Sequence, residues 1–331
     1  MTRSTGFPLR PLAAFSALCA AALTVTGCAA GSSQQATTND NGTANIVVGY
    51  PAIGASFADQ YVGIDNGIFK ANGLNVTLKR VEGAAQLIPA LKSGSINIAL
   101  GPATAGATAA LAGTDVRFIA MSAKVYNLEV YARKDFAGVE SLKGHTFGVA
   151  PVGSESDVGL TDLLAKHGLA RTDVKVVRLA SQDAQLSALA AGSVDAIMTQ
   201  PPLSAQAAKS GAHQLEAMSD MPFGLGSYFV TSDYMDKNAA ILKKFVKAET
   251  AALAYLRSNP AETKAAIGKY TTVTDQAQVS AAYDFFQQVW AKIPDVPADL
   301  IKVAFQTSAA SANKPAPDDV GKYIAYPNLA G

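Results

Sequence analysis

The sequence predicts an α/β protein of two similar lobes with a ligand cleft between them and a helical C-terminal part. Three observations carry this. From Asn45 to Met218 short apolar strands alternate with helical segments, the unit from which parallel sheets are built. Ala90 to Pro102 (ALKSGSINIALGP) is echoed by Ala188 to Pro202 (ALAAGSVDAIMTQPP), each reading as a helix end, a glycine stop, an apolar strand and a loop. Beyond Thr231 the pattern changes to long helices, Asn238 to Arg257, Pro260 to Lys269, Asp275 to Ala291 and Ala298 to Ser311.

The N-terminus is set apart from this pattern. Arg3 and Arg10 precede an apolar run from Pro11 to Leu23, long enough for a signal-peptide core and too short to span a bilayer stably. The small residues before Cys28 resemble a bacterial lipoprotein cleavage box, which implies that residues 1–27 are removed and that Cys28 is lipidated. Val25 stands where leucine is more usual, and an ordinary secretory signal cut near Ala29 or Ala30 is the alternative. Residues 28–44, rich in Ser, Thr, Gln, Asn and Gly, read as a flexible tether.

Removal of Arg3 and Arg10 leaves 25 basic against 26 acidic residues, a balance that attracts neither nucleic acid nor an anionic membrane surface. Of the two cysteines, Cys19 lies in the signal and Cys28 carries the lipid. The mature fold therefore has no disulfide, thiolate metal site or cysteine nucleophile.

In chain order, Asn45 to Tyr50 is the first strand, followed by the Pro51 to Ala55 loop. A helix with Ser56 as N-cap then runs to Asn66. GIFKANGLNVTL (Gly67 to Leu78) gives a glycine stop, a helical turn and a strand. Ala84 to Ser93 is a helix containing Pro89, Ile96 to Gly101 a strand, Ala105 to Ala112 a helix and Val116 to Ser122 a strand. The chain crosses to the second lobe at Lys124 to Leu128. There the pattern repeats, with strands at 129–133, 145–150, 174–179, 194–199 and 214–218 and helices from Asp157 to His167, Asp183 to Ala191 and Leu203 to Lys209. PFGLG (Pro222 to Gly226) is the return crossing. Lobe 1 is thus residues 45–124 plus 225–331, and lobe 2 residues 125–224. Tyr283, Phe286 and Trp290 fall at helical spacing and read as core.

Taken in order and spacing, the Pro51 loop, GIFKANGLNV, ALKSGSINIAL, SLKGHTFGVAPVGS and ALAAGSVDAIMTQP resemble the solute-binding proteins of ABC importers, in the branch that handles nitrate, taurine, aliphatic sulfonates and thiamine precursors. The resemblance covers about residues 45–260. It implies two Rossmann-like lobes in the type II periplasmic-binding-protein fold, hinge closure on a small organic solute, delivery to an ABC permease, a monomer and no cofactor.

In open α/β sheets ligands sit beyond the carboxyl ends of the strands, at loops and helix N-termini. Four loops qualify: Ser56 and Phe57 in the first, Pro102, Ala103 and Thr104 in the second, Gly153, Ser154, Glu155, Ser156 and Asp157 in the third, and Thr199, Gln200 and Pro201 in the fourth. The crossings add Lys124, Tyr126, Asn127 and Phe223, with Tyr126, Phe57 and Phe223 available to stack on a planar ligand. The turn at Gly153 to Ser156 favours an anion such as a sulfonate, yet Glu155 and Asp157 occupy the same turn and favour a neutral, zwitterionic, amine-bearing or pyrimidine-like ligand. Lys124 leaves anion binding open.

A ligand-sensing lipoprotein that presents its state to a signalling partner is a second reading. An enzyme on the same fold is a distant third. Gly54-Ala55-Ser56-Phe57-Ala58 only nearly matches a nucleophile elbow, and His145, His167 and His213 have no metal-ligand spacing.

Overall fold

The computed structural model of the chain describes residues 36–39 and 42–330. The expected signal segment, Cys28 and the tether up to residue 35 lie outside the described residues. Residues 36–39, also part of the expected tether, lie against the fold. Ala36 is buried, its N–H donates to Asn238 Oδ1 at 3.0 Å, and Thr38 bridges Ala44.

The described strands are β1 (Ala44–Tyr50), β2 (Leu74–Arg80), β3 (Ile98–Gly101), β4 (Val116–Met121), β5 (Glu129–Ala132), β6 (Thr146–Val149), β7 (Lys175–Arg178), β8 (Ala196–Thr199), β9 (His213–Ala217) and β10 (Ser227–Thr231). They form two five-stranded sheets, ordered β2-β1-β3-β10-β4 and β7-β6-β8-β5-β9. Each sheet has one antiparallel strand beside the centre, β10 in the first and β5 in the second. Both are strands on which the chain has just arrived from the other sheet.

The helices are α1 (Ala58–Asp65), α2 (Ile68–Ala71), α3 (Leu87–Lys92), α4 (Ala103–Leu111), α5 (Glu155–Lys166), α6 (Gln182–Ala190), α7 (Ser204–Lys209), α8 (Ser232–Ser258), α9 (Pro260–Thr271), α10 (Gln276–Val289), α11 (Ala298–Ala312) and α12 (Tyr326–Leu329). Strand alternation decides which face each residue packs on. Ile98 and Leu100 of β3 face Phe69 and Phe245, while Ala99 faces Phe305 and Ile301. In the second sheet Ala196 and Met198 join Phe147, and Ile197 packs with Leu186 and Leu189. Tyr283, Phe286 and Trp290 belong to a core shared by α1, α8, α9 and α10, as their spacing suggests.

The echo in the sequence is an echo in space. Gly94 and Gly192 both take positive φ, +72° and +71°, which suits a residue without Cβ. Ser95 N–H and Ser193 N–H then bond back to Ala90 O at 3.0 Å and Ala188 O at 2.9 Å. Asn97 and Asp195 follow and do the same work. Each gives its own N–H to the neighbouring strand, to Val47 O at 2.8 Å and to Thr146 O at 2.9 Å. Each side chain then accepts from the same strand, from Val47 N–H and Thr146 N–H, both at 2.8 Å. The strands entered, β3 and β8, are the central strands of the two sheets.

Local chemistry departs from the sequence reading at three helix starts. Ser56 is not an N-cap: it lies inside a 3-10 turn, Ala55–Phe57, that precedes α1, and its carbonyl accepts from Trp290 Nε1 at 3.3 Å. Asn259 precedes Pro260 as expected but makes no capping bond, because its amide turns back to Tyr255 O at 3.0 Å. α8 starts at Ser232, capped by Thr231, and Asn238 is a kink within it.

Under α1 lies a fully buried polar network. Tyr228 Oη donates to Asp59 Oδ2 at 2.5 Å, and Gln60 Nε2 donates to Tyr228 Oη at 2.8 Å and Glu249 Oε2 at 2.7 Å. Asp59 Oδ1 and Glu249 Oε1 are buried there without a hydrogen-bond partner. Burial first, and the nearby Asp59 charge second, hold Glu249 well above the usual carboxylate range. A carboxyl that keeps its proton in the fold and loses it on unfolding makes stability fall as pH rises above the ordinary glutamate range. The melting temperature is therefore expected to fall as pH rises above the ordinary glutamate range, and Glu249→Gln to flatten that fall, with a slope bounded by about 1.4 kcal/mol per pH unit. Equal slopes in calorimetric scans of both proteins would refute this.

Candidate functional site

The two segments that join the sheets pair with each other. Ser122 N–H donates to Gly226 O at 2.8 Å, Gly226 N–H to Ala123 O at 3.1 Å, Phe223 N–H to Lys124 O at 2.9 Å and Tyr126 N–H to Met221 O at 3.1 Å. A Cβ on Gly226 would lie 2.5 Å from Ser122 Oγ and 2.9 Å from Ala123 N, so glycine permits this close approach. Tyr126 and Phe223 stack on each other, ring centroids 4.2 Å apart, inside the second-sheet core. The Tyr126 hydroxyl donates to Asp162, and burial raises its pKa. Both aromatics are thus engaged as packing residues beside the crossings.

From this ribbon the candidate loops meet in two places. In the first, Asn127 N–H donates to Glu155 Oε1 at 3.1 Å. With its amide oriented to satisfy its neighbours, Asn127 Nδ2 donates to Glu155 Oε2 at 2.9 Å and to Gln200 Oε1 at 3.1 Å. Gln200 Nε2 reaches across to the first sheet's loop, 3.7 Å from the position a Cβ on Gly54 would take, next to Ser56. In the second, Ala103 N–H donates to Gly224 O at 2.7 Å, and Ala103, Thr104, Phe223 and Gly224 line a slot with Val158 and Asp162 of α5 and residues of α11. The slot holds about 10 Å³, room for about one water molecule. Thr104 Oγ1 is buried there without a partner.

The α5 turn is occupied mainly by its own residues. Ser154 is the N-cap, its Oγ accepting from Asp157 N–H at 3.3 Å, and Ser156 Oγ accepts from Ala150 N–H at 3.0 Å. Asp157 Oδ2 accepts from Gly153 N–H at 3.0 Å, and its Oδ1 meets the guanidinium of Arg171 and that of Arg178, the latter at 2.9 Å. Glu155 is left as the acid at the meeting of loops. Burial pushes its carboxyl up to about 8, against the smaller lowering effect of the Asn127 N–H.

Other candidates stand elsewhere. Lys124 pairs with Asp295 and donates to Ile293 O at 3.2 Å. Phe57 is half-buried edge-on to Tyr50, centroids 5.5 Å apart. Pro102 is the N-cap of α4, and Pro201 precedes Pro202 through a cis peptide bond. Thr199 is buried opposite Glu129, and Thr199 Oγ1 and Glu129 Oε2 are both unpartnered. Sequence reasoning missed Glu129 and Asp162. An acid within the apolar run EVYA was a usable signal for the first, while nothing in the sequence marked the second.

The histidines lie among local partners. His167 sits between Glu140 and Glu216, 2.6 Å from each, His145 is 3.5 Å from Asp195, and His213 Nε2 is 2.8 Å from Phe136 O. Among the described residues no cluster of three His, Cys, Asp or Glu side chains could hold a metal ion. No helix among them is long and apolar enough to cross a membrane.

The Asp157 arrangement generates a prediction. Asp157→Ala leaves two guanidinium groups without their acid and the Gly153 N–H without its acceptor, and is expected to cost about 2 kcal/mol of stability. Urea unfolding would measure it, and a cost below about 0.5 kcal/mol would show the cluster to be a solvated surface pair.

Against known structures the chain is similar to the periplasmic aliphatic sulphonate binding protein SsuA from Escherichia coli, with 20% identity, TM-score 0.70, and 86% of this chain and 96% of that one covered. It is similar to the alkanesulfonate-binding protein SsuA from Xanthomonas axonopodis pv. citri, solved with MOPS, with 19% identity, TM-score 0.68, and coverage of 85% and 97%. The desulfurization enzyme DSZB shares the fold at 15% identity and TM-score 0.61, with 85% and 96% covered. No curated protein sequence matches. The fold is that of the periplasmic binding proteins. The family model described as NMT1/THI5 like matches residues 55–263, well over half of the chain, and the chain belongs to that family.

Proposed function

We propose that the protein is the extracytoplasmic solute-binding component of an ABC importer, held to the membrane by lipid on Cys28. It captures a small organic solute between lobe 1 (residues 45–124 and 225–331) and lobe 2 (residues 125–224) and delivers it to the permease. The observation that carries this reading is the paired crossing. Two strands of backbone join two complete α/β units, and candidate loops from both units converge beside them, Gln200 against Gly54 and Thr104 against Asp162. A ligand that touches both units stabilises the closed arrangement by its differential affinity for it.

Supporting this are the family match and the printed sulfonate-binding roles of the two SsuA neighbours. The DSZB likeness keeps catalysis in view. In this chain Ser56 lies in a 3-10 turn, and its carbonyl is held by Trp290. The three histidines make contacts with partners other than Ser56.

A ligand at about 100 times its Kd adds about 2.7 kcal/mol to stability, so a thermal-shift panel of sulfonates, nitrate, pyrimidines, polyamines and amino acids is expected to yield a stabilising compound. Solution scattering with that compound is expected to show a smaller radius of gyration than without it. Equal radii would overturn hinge closure.

A further inference from the structure

Glu155 lacks a counter-charge at the place where the loops meet. Its carboxylate oxygens face Asn127 N–H and the Asn127 amide. Among the described residues, the one group that lowers its pKa is that N–H. The cations within reach of the candidate site are already engaged, Lys124 by Asp295 and Arg171 and Arg178 by Asp157. At the start of α5, Gly153 N–H and Asp157 N–H are taken by Asp157 and Ser154. That leaves none of these cationic side chains unpaired for an anion, and a carboxyl without a positive partner.

The ionisable groups around Glu155 agree in sign. From the crossing comes Tyr126, whose hydroxyl is held by Asp162. From α5 come Asp157, neutralised by its arginines, and Asp162 itself, raised by burial. The loop at 199–202 presents Gln200, and the loop at 54–57 presents Ser56 and Phe57, with no ionisable side chain.

We infer that the solute is a small organic cation carrying N–H donors, such as an ammonium, an amidinium or a protonated amino-heterocycle, and that Glu155 selects it. This rests on the solute-binding reading above. On binding, the cation pairs with the Glu155 carboxylate. The carboxyl proton, held in the empty site because the group titrates near 8, is released to solvent. Binding therefore strengthens as pH rises toward 8 and levels off above it.

The test uses the purified full chain and three matched probe pairs: butylamine and butanesulfonate, benzamidine and benzenesulfonate, aminopyridine and pyridinesulfonate. Thermal shift and calorimetry are run on the wild type and on Glu155→Gln. Melting of the ligand-free variant checks that it folds. The expected result is binding by a cationic member, affinity rising about tenfold per pH unit from about pH 6 to about pH 8, and loss of at least about tenfold in affinity and of the pH dependence in Glu155→Gln. Binding of a sulfonate in preference to its cationic mate overturns the inference and leaves solute binding intact. Cation binding that ignores both pH and Glu155→Gln also overturns it. Failure of every probe overturns it too, and an unchanged radius of gyration across the wider solute panel would then remove the solute-binding reading as well.

Discussion

The pairing of the two crossing segments is the constraint on which the rest of the architecture depends. A chain that leaves one sheet after β4 and returns before β10 must satisfy the backbone groups of both passages, and a buried unpaired N–H or C=O is costly. Here each passage satisfies the other, from Ser122 with Gly226 to Tyr126 with Met221. Because the passages lie side by side, the strand that each feeds enters its new sheet antiparallel, and both sheets acquire the same order. Gly226 allows the approach, and the stacked Tyr126 and Phe223 rings fix one end of the ribbon in the second-sheet core.

Much of this was legible because it is local. Strand alternation, glycine stops and the echo between Ala90 and Ala188 lie within short windows, and the physical rules that read them act over the same range. The echo concealed more than it displayed. Asn97 and Asp195 occupy matching positions and make matching clamps, yet one is neutral and the other draws in Arg133 at 2.5 Å. The candidate loops were legible as a set, and the partners of their individual side chains were not. Whether Lys124 faces a ligand depends on Asp295, and whether Asp157 does depends on Arg171 and Arg178. None of these pairings leaves a spacing in the sequence. Asp162 joined the site through a helix face, a position with no turn chemistry to announce it.

Glu249 and Glu155, both outside ordinary ion pairs, illustrate different solutions to one problem. Glu249 has Asp59, Gln60 and Tyr228 around it, all fully buried, and keeps its proton within a closed network. Glu155 has the Asn127 amide groups as partners, at the place where the loops meet. Desolvation raises both, but Glu249 is fully buried and Glu155 is partly exposed.

One further feature reaches beyond stability. The chain has a single tryptophan, Trp290, and its indole N–H holds the carbonyl of Ser56 in the loop that faces Gln200. The same ring packs against Tyr283 and Phe286, and its backbone bridges Ala123 of the first crossing. Loop, helical layer and crossing thus converge on one chromophore. Emission from this protein is therefore a spectroscopic readout of the junction itself, free of any second indole and obtained without attaching a label.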